Sequence, residues 1–159
     1  GSRVLPYRSN IPEISRFAFE ALDKEYSEKA SRRKRRNHVI VAGKNYGQGS
    51  SREHAAVAPR YLGLSVVLAK NFARIHRANL INVGVLPLTV ADGGNPEALQ
   101  TGDLLEFYID DEDRRVTVRN ADKGKSIEVN SGMNEREWAV FRAGGLINFI
   151  RNKDKCLVS

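Results

Sequence analysis

HVIVAGKNYGQGSSREHAA, residues 38–56, is the stretch whose reading decides how this chain folds. HVIVAG (38–43) is a short β-branched run ending in glycine, the pattern of a buried strand. Behind it come glycines at 43, 47 and 49, the adjacent serines Ser50 and Ser51, and then Arg52, Glu53 and His54. A strand, a glycine-rich loop and a helix start in that order gather backbone N–H groups at the positive end of a helix dipole, which favours a phosphate or a carboxylate. A plainer reading competes with this one. Ser50-Ser51-Arg52-Glu53 fits the S-x-x-E capping box, in which the serine accepts from the Glu53 N–H and Glu53 reaches back. A cap explains Ser50 and Glu53 but neither Arg52 nor the three glycines. The spacing is neither G-x-G-x-x-G nor a Walker A loop with its lysine, so a nucleotide site has little support.

Outward from the loop the helix and strand signals alternate. A helix is predicted over 51–63, kinked or split in two by Pro59, which lies too far inside to be comfortable. SVVLAK (65–70) reads as a second buried strand, FARIHRANLINVG (72–84) as a helix stopped by Gly84, and VLPLTV (85–90) as a third strand. That succession argues for parallel pairing through crossovers. Upstream, Asn10 and Pro12 suit a helix start, and Ile14, Phe17, Ala18, Ala21 and Leu22 recur at helical spacing, predicting a helix over 12–30. Downstream the grammar changes. ADGGNP is a turn, LLEFYID and RRVTVRN form an antiparallel hairpin about Asp111-Glu112-Asp113, ADKGKS turns again before SIEVN, and a helix over 135–142 carries Trp138 and Phe141 as its apolar face. The chain shows neither an internal repeat nor a long linker. The expected fold class is α/β, one mixed domain over residues 1–159 with a parallel core followed by an antiparallel β part.

Composition narrows the function classes. With 159 residues, 41% hydrophobic and 28% charged, the chain suits one globular domain with a real core. It has no apolar run near the roughly 20 residues of a membrane span and no secretory h-region, which makes a cytoplasmic location the expectation and a membrane partner none. Gly1-Ser2 resembles the scar of a cleaved tag. The single cysteine, Cys156, excludes a disulfide within the chain and any cluster held by several of its own thiolates. The formal charge is +7, and five of the 26 basic residues form one run, residues 32–36. Such a run can bind phosphates or serve as a localisation signal. It also suits the solvated last turn of a helix, and no aromatic residue interleaves it to stack bases. His54 and His76 each fall on a predicted helix beside apolar residues, where a structural role outweighs that of a ligand.

NYGQGSSREHAAVAPRYLG followed by AKNFARIHRANLINVGVLPLT resembles the C-terminal swivel domain of the aconitase family. The match runs almost without a break over residues 39–92. It extends upstream through LPYRSNIPEIS and more loosely downstream through FRAGG (141–145), and so covers most of the chain. The resemblance implies a swivelling β/β/α domain that closes over a 4Fe-4S cluster held by the other domains of a larger enzyme, or by a large subunit. This chain itself would bind no cluster, and Cys156 lies outside the matched motifs. It would be a fragment of that enzyme or a separately encoded small subunit, inactive alone.

The family's reaction, citrate to isocitrate through cis-aconitate, gives the loop a task. The resemblance makes Ser50, the first serine of GSSR, the base that takes a proton from a carbon next to a carboxylate. A serine needs its alkoxide favoured, and the helix-start donors and the charge of Arg52 are the candidates. Ser51 and Arg52 match the family's substrate-binding pair, the arginine offering carboxylates a planar fork that lysine lacks. Arg8 falls where the family has another substrate arginine. Three readings stand: the swivel domain of an aconitate hydratase acting on a tricarboxylate, the small subunit of a homoaconitase or isopropylmalate isomerase, and an RNA-binding or regulatory module using residues 32–36. Arg8 and the loop favour the first, because a third carboxylate needs its own cation.

Overall fold

The computed structural model describes residue 7 and residues 9–32, 37–49, 52–91 and 99–156, with residues 154–156 described by their backbone alone. Arg8, Ser50, Ser51, residues 33–36 and most of the ADGGNP turn lie outside the described residues.

Two sheets organise the chain. The first has the order β1(His38–Ala42), β2(Leu64–Ala69), β3(Leu86–Val90), β7(Val129–Asn130). β1, β2 and β3 run parallel, as their intervening helices α3(His54–Tyr61) and α4(Arg74–Asn82) require, and β7 closes the edge antiparallel to β3. The second sheet is the antiparallel set β4(Leu105–Asp110), β5(Arg115–Asn120), β6(Lys125–Ile127). The expected parallel core with a following antiparallel part is therefore present. The SIEVN stretch is divided between the sheets: Ile127 pairs with Val118 of β5, and Val129 pairs with Val90 of β3.

Alternation along β2 builds two cores, since successive side chains point to opposite faces. Val66 and Leu68 join Leu86, Leu88, Val90, Val118, Trp138 and Val140 on one face. Val67 and Ala69 join Ala56 of α3 and Leu80 of α4 on the other. The parallel strands are thus covered on both faces, which is why they read as continuous apolar runs rather than alternating ones.

The helix boundaries hold several corrections. The helix expected over 12–30 is two short helices, α1(Ile11–Ser15) and α2(Tyr26–Arg32), separated by turns. Asn10 does cap α1 through the Glu13 N–H. After Ser15 the bonds tighten to the three-residue kind, Phe17 N–H to Ile14 and Ala18 N–H to Ser15, and Phe19 enters the left-handed region at φ 55°. No helix continues through such a residue. Leu22, read as apolar face, stands exposed. α3 starts at His54, later than expected, with Glu53 at the N-cap position making no side-chain cap bond. Glu53 is therefore not the third helical residue that a capping box needs. Pro59 does not divide the helix, which ends two residues later at Tyr61. α5(Glu135–Arg142) has the predicted bounds and a capping box from Asn134 and Glu137. α6(Leu146–Cys156), which follows it, was not foreseen.

Candidate functional site

The candidate site lies past the carboxyl ends of β1 and β2, where open α/β sheets place ligands. The loop after β1 is fastened to the segment after β2 by a ladder of backbone bonds. Lys70 N–H donates to Gly43 O at 3.1 Å, Tyr46 N–H to Asn71 O at 3.0 Å, and Ala73 N–H to Tyr46 O at 2.9 Å. Asn71 also accepts, through Oδ1, from the Asn45 N–H. The loop is therefore held at a fixed place on its scaffold before residues 50–52 are reached.

A turn within the loop sets its direction. Gln48 N–H donates to Asn45 O at 3.1 Å, and Gly47, third residue of that turn, has φ 88°. That combination is a type II turn, whose third position only glycine fills without strain. A second reason for glycine is contact: a Cβ at position 47 would stand 2.2 Å from Cγ of His76. The Tyr46 ring meets His76 edge-on at 5.2 Å and Phe72 at 5.9 Å. Burial pushes the Tyr46 phenol up to about 12, so it is neutral at ordinary pH.

His76, on α4, is 3% exposed. Burial lowers its basicity below the ordinary 6.5, leaving the imidazole neutral. Among the described residues its Nδ1 finds no hydrogen-bond partner, nor does the Nδ2 of Asn79, one turn further along α4. His76 falls on a helix, as the sequence predicts, and is buried there. Its contact with the loop glycine was not legible, because nothing in the sequence relates positions 47 and 76.

Of the predicted site residues, Arg52 is described, exposed, and positioned just ahead of α3 with its carbonyl accepting from Ala55 N–H at 3.1 Å. No carboxylate interrupts residues 43–52, which include Lys44 and Arg52, and Lys70 follows β2 directly. The local charge therefore favours an anion. His54 opens α3 and is half-buried. The N-terminal motif is brought to the same helix: Ser15, 1% exposed, donates through Oγ to Ile11 O at 2.7 Å and to Ala58 O of α3 at 3.3 Å. The stretch that carries Arg8 is thus tied through α1 to the helix that the loop begins. Of the basic run, Arg32 ends α2 and pairs with Glu28. Among the described residues no group of three or more His, Cys, Asp or Glu could hold a metal ion, so they offer no ligand set for an iron–sulfur cluster. None of their helices is long and apolar enough to cross a membrane.

Comparison with known proteins shows the family of the chain. Residues 18–93 match the family model of the aconitase C-terminal domain. The methanogen homoaconitase small subunit of Methanocaldococcus jannaschii is 36% identical over 150 residues, spanning 93% of this chain and 81% of that protein. A probable mitochondrial aconitate hydratase of Dictyostelium discoideum is 36% identical over 124 residues, 74% of this chain but 16% of that protein. Among solved structures, a 3-isopropylmalate dehydratase of Methanocaldococcus jannaschii superposes with a TM-score of 0.76 at 31% identity, covering 96% of this chain and 85% of the other. The chain belongs to the family of the aconitase C-terminal domain.

Proposed function

We propose that this chain is the small subunit of a hydro-lyase of the homoaconitase or isopropylmalate isomerase kind, supplying the base and part of the carboxylate site to a larger partner. The observation that carries the reading is coverage. The likeness to small subunits takes in 93% and 96% of this chain, whereas the likeness to an aconitate hydratase takes in 74% of it. This favours the second reading of the sequence over the first, despite the expectation placed on Arg8.

The reaction removes a proton from a carbon beside a carboxylate and a hydroxyl from the neighbouring carbon. Ser50 as alkoxide takes the proton, the C–H pair becomes the double bond, and the hydroxyl leaves on the far side of the substrate. Gaining that proton makes Ser50 neutral; on rehydration the hydroxyl adds to the carbon that lost the proton, and Ser50 returns its proton to the carbon that lost the hydroxyl. Ser51, Arg52 and Arg8 hold carboxylates, Arg52 by two parallel N–H bonds. Ser50, Ser51 and Arg52 follow one another on a loop whose residues 43–46 are fastened to the scaffold, which is where orientation would contribute to rate. The 4Fe-4S cluster that the family resemblance implies would be held by the partner, where it would supply a Lewis acid for the leaving hydroxyl.

The test is to assemble the chain with its large subunit and follow formation of the unsaturated acid from homocitrate, isopropylmalate and citrate in competition. Preference for homocitrate or isopropylmalate supports the reading. Preference for citrate returns it to aconitate hydratase, and turnover of none of the three rejects both.

A further inference from the structure

The ladder between the two loops fixes the backbone of residues 43–46, but the turn at Gly47 needs something to turn against. His76 supplies it. The nearest atoms to a Cβ built on Gly47 are Cγ, Cδ2 and Cβ of His76, at 2.2, 2.3 and 2.4 Å. The same ring packs edge-on against Tyr46. Two consecutive loop residues therefore rest on one side chain from α4, three residues before the GSSR serines begin. At 3% exposure the ring is closed to substrate, so it takes no direct part in chemistry.

We propose that His76 is a positioning residue for the reaction: its flat ring is the floor that fixes the turn at residues 46–47, from which the loop runs on toward Arg52. This rests on the reading of residues 50–52 as base and carboxylate site. The shape of the ring does the work rather than its basicity. Nδ1 has no hydrogen-bond partner among the described residues, and a polar atom left unmatched inside a protein brings no benefit that an apolar ring would lose. A phenyl ring should therefore replace the imidazole, whereas a methyl group should not.

Two measurements test this on His76→Ala and His76→Phe. The first is amide hydrogen exchange of the chain by itself. His76→Ala should exchange faster at residues 45–49 while the amides of β2 and β3 keep their protection, and His76→Phe should exchange like the wild type. The second is turnover in the assembled enzyme. His76→Ala should lower kcat by at least about tenfold with a smaller change in KM, since a base displaced by a fraction of an ångström is lost mainly in the transition state. His76→Phe should restore kcat. Unchanged exchange at 45–49 in His76→Ala overturns the inference whatever the activity, and so does wild-type kcat in that variant. A His76→Phe enzyme as slow as His76→Ala, with β2 and β3 still protected, also overturns it, because the imidazole itself would then be required. If the wild-type assembly turns over no hydroxy acid, the proposed function fails by itself, and the exchange result still decides whether His76 holds the loop.

Discussion

Gly47 shows how one position can be fixed twice. Its φ of 88° disfavours any side chain, and the space a Cβ needs is taken by His76. Gly47→Ala should cost at least about 2 kcal/mol of stability, combining backbone strain with a forced displacement. His76→Ala should not rescue it, because Cβ of His76, which alanine retains, already lies 2.4 Å from the added methyl. Denaturant unfolding of the two single variants and the double variant checks both statements. His76 makes a separate prediction about pH. Its folded value lies below the ordinary 6.5, so the unfolded chain binds the proton more readily. The stability it contributes is complete above about pH 6.5 and declines as pH falls below that toward the folded value. Unfolding measured between about pH 8 and pH 5 should show this decline in the wild type and lack it in His76→Phe.

Helix ends, rather than helix interiors, set how the elements meet. α4 ends in a Schellman arrangement, with Gly84 N–H to Ile81 O at 3.0 Å and Val85 N–H to Leu80 O at 2.9 Å, and Gly84 at φ 75°. The turn between α5 and α6 packs directly on this end. A Cβ on Gly84 would stand 2.7 Å from the backbone of Gly144, and one on Gly145 would stand 2.6 Å from Asn82 O. Backbone cannot swing aside as a side chain can. Gly84→Ala should therefore cost roughly 3 kcal/mol or more, the sum of left-handed strain and overpacking. Gly124 has a comparable φ of 65° but open space around it, so Gly124→Ala should cost only about 1 kcal/mol. Equal thermal shifts in the two variants would show that contact at the α4 terminus is not what matters. Arg77 strengthens the same junction. Its guanidinium donates to Ser131 O at 3.0 Å and Gly132 O at 2.9 Å and pairs with Glu137 of α5 at 2.9 Å, joining α4 to the segment that returns from β7.

At the scale of the molecule, what could be read in the sequence was what local patterns encode. Three β-branched runs separated by helical spacing gave the parallel strands, and the spacing of Trp138 and Phe141 gave α5. Phe19 in the left-handed region is a choice made by packing, and nothing in ISRFAFEALDKEY announces it. The division of residues 125–130 between two sheets is likewise a tertiary decision, taken where β3 has an unpaired edge and Ala91 N–H reaches Glu128 O at 3.1 Å. α6 was missed although Gly144 and Gly145, both at positive φ, mark a break after α5 that permits a new helix. The site divides in the same way. Its glycines, serines and Arg52 are contiguous and could be read directly, whereas Asn71 and His76, which hold the loop, come from distant segments and carry no motif. Our proposal is that the loop fastened to its scaffold at residues 43–46 carries, in Ser50, the base of a hydro-lyase whose remaining chemistry lies in a partner subunit. The most direct measurement is steady-state turnover of the assembled enzyme with Ser50→Ala. Ser50→Ala should lower kcat about 10²–10⁴-fold with KM little changed, the signature of a group that acts only in the transition state. A kcat within a few-fold of the wild type, or a loss confined to KM, would contradict it.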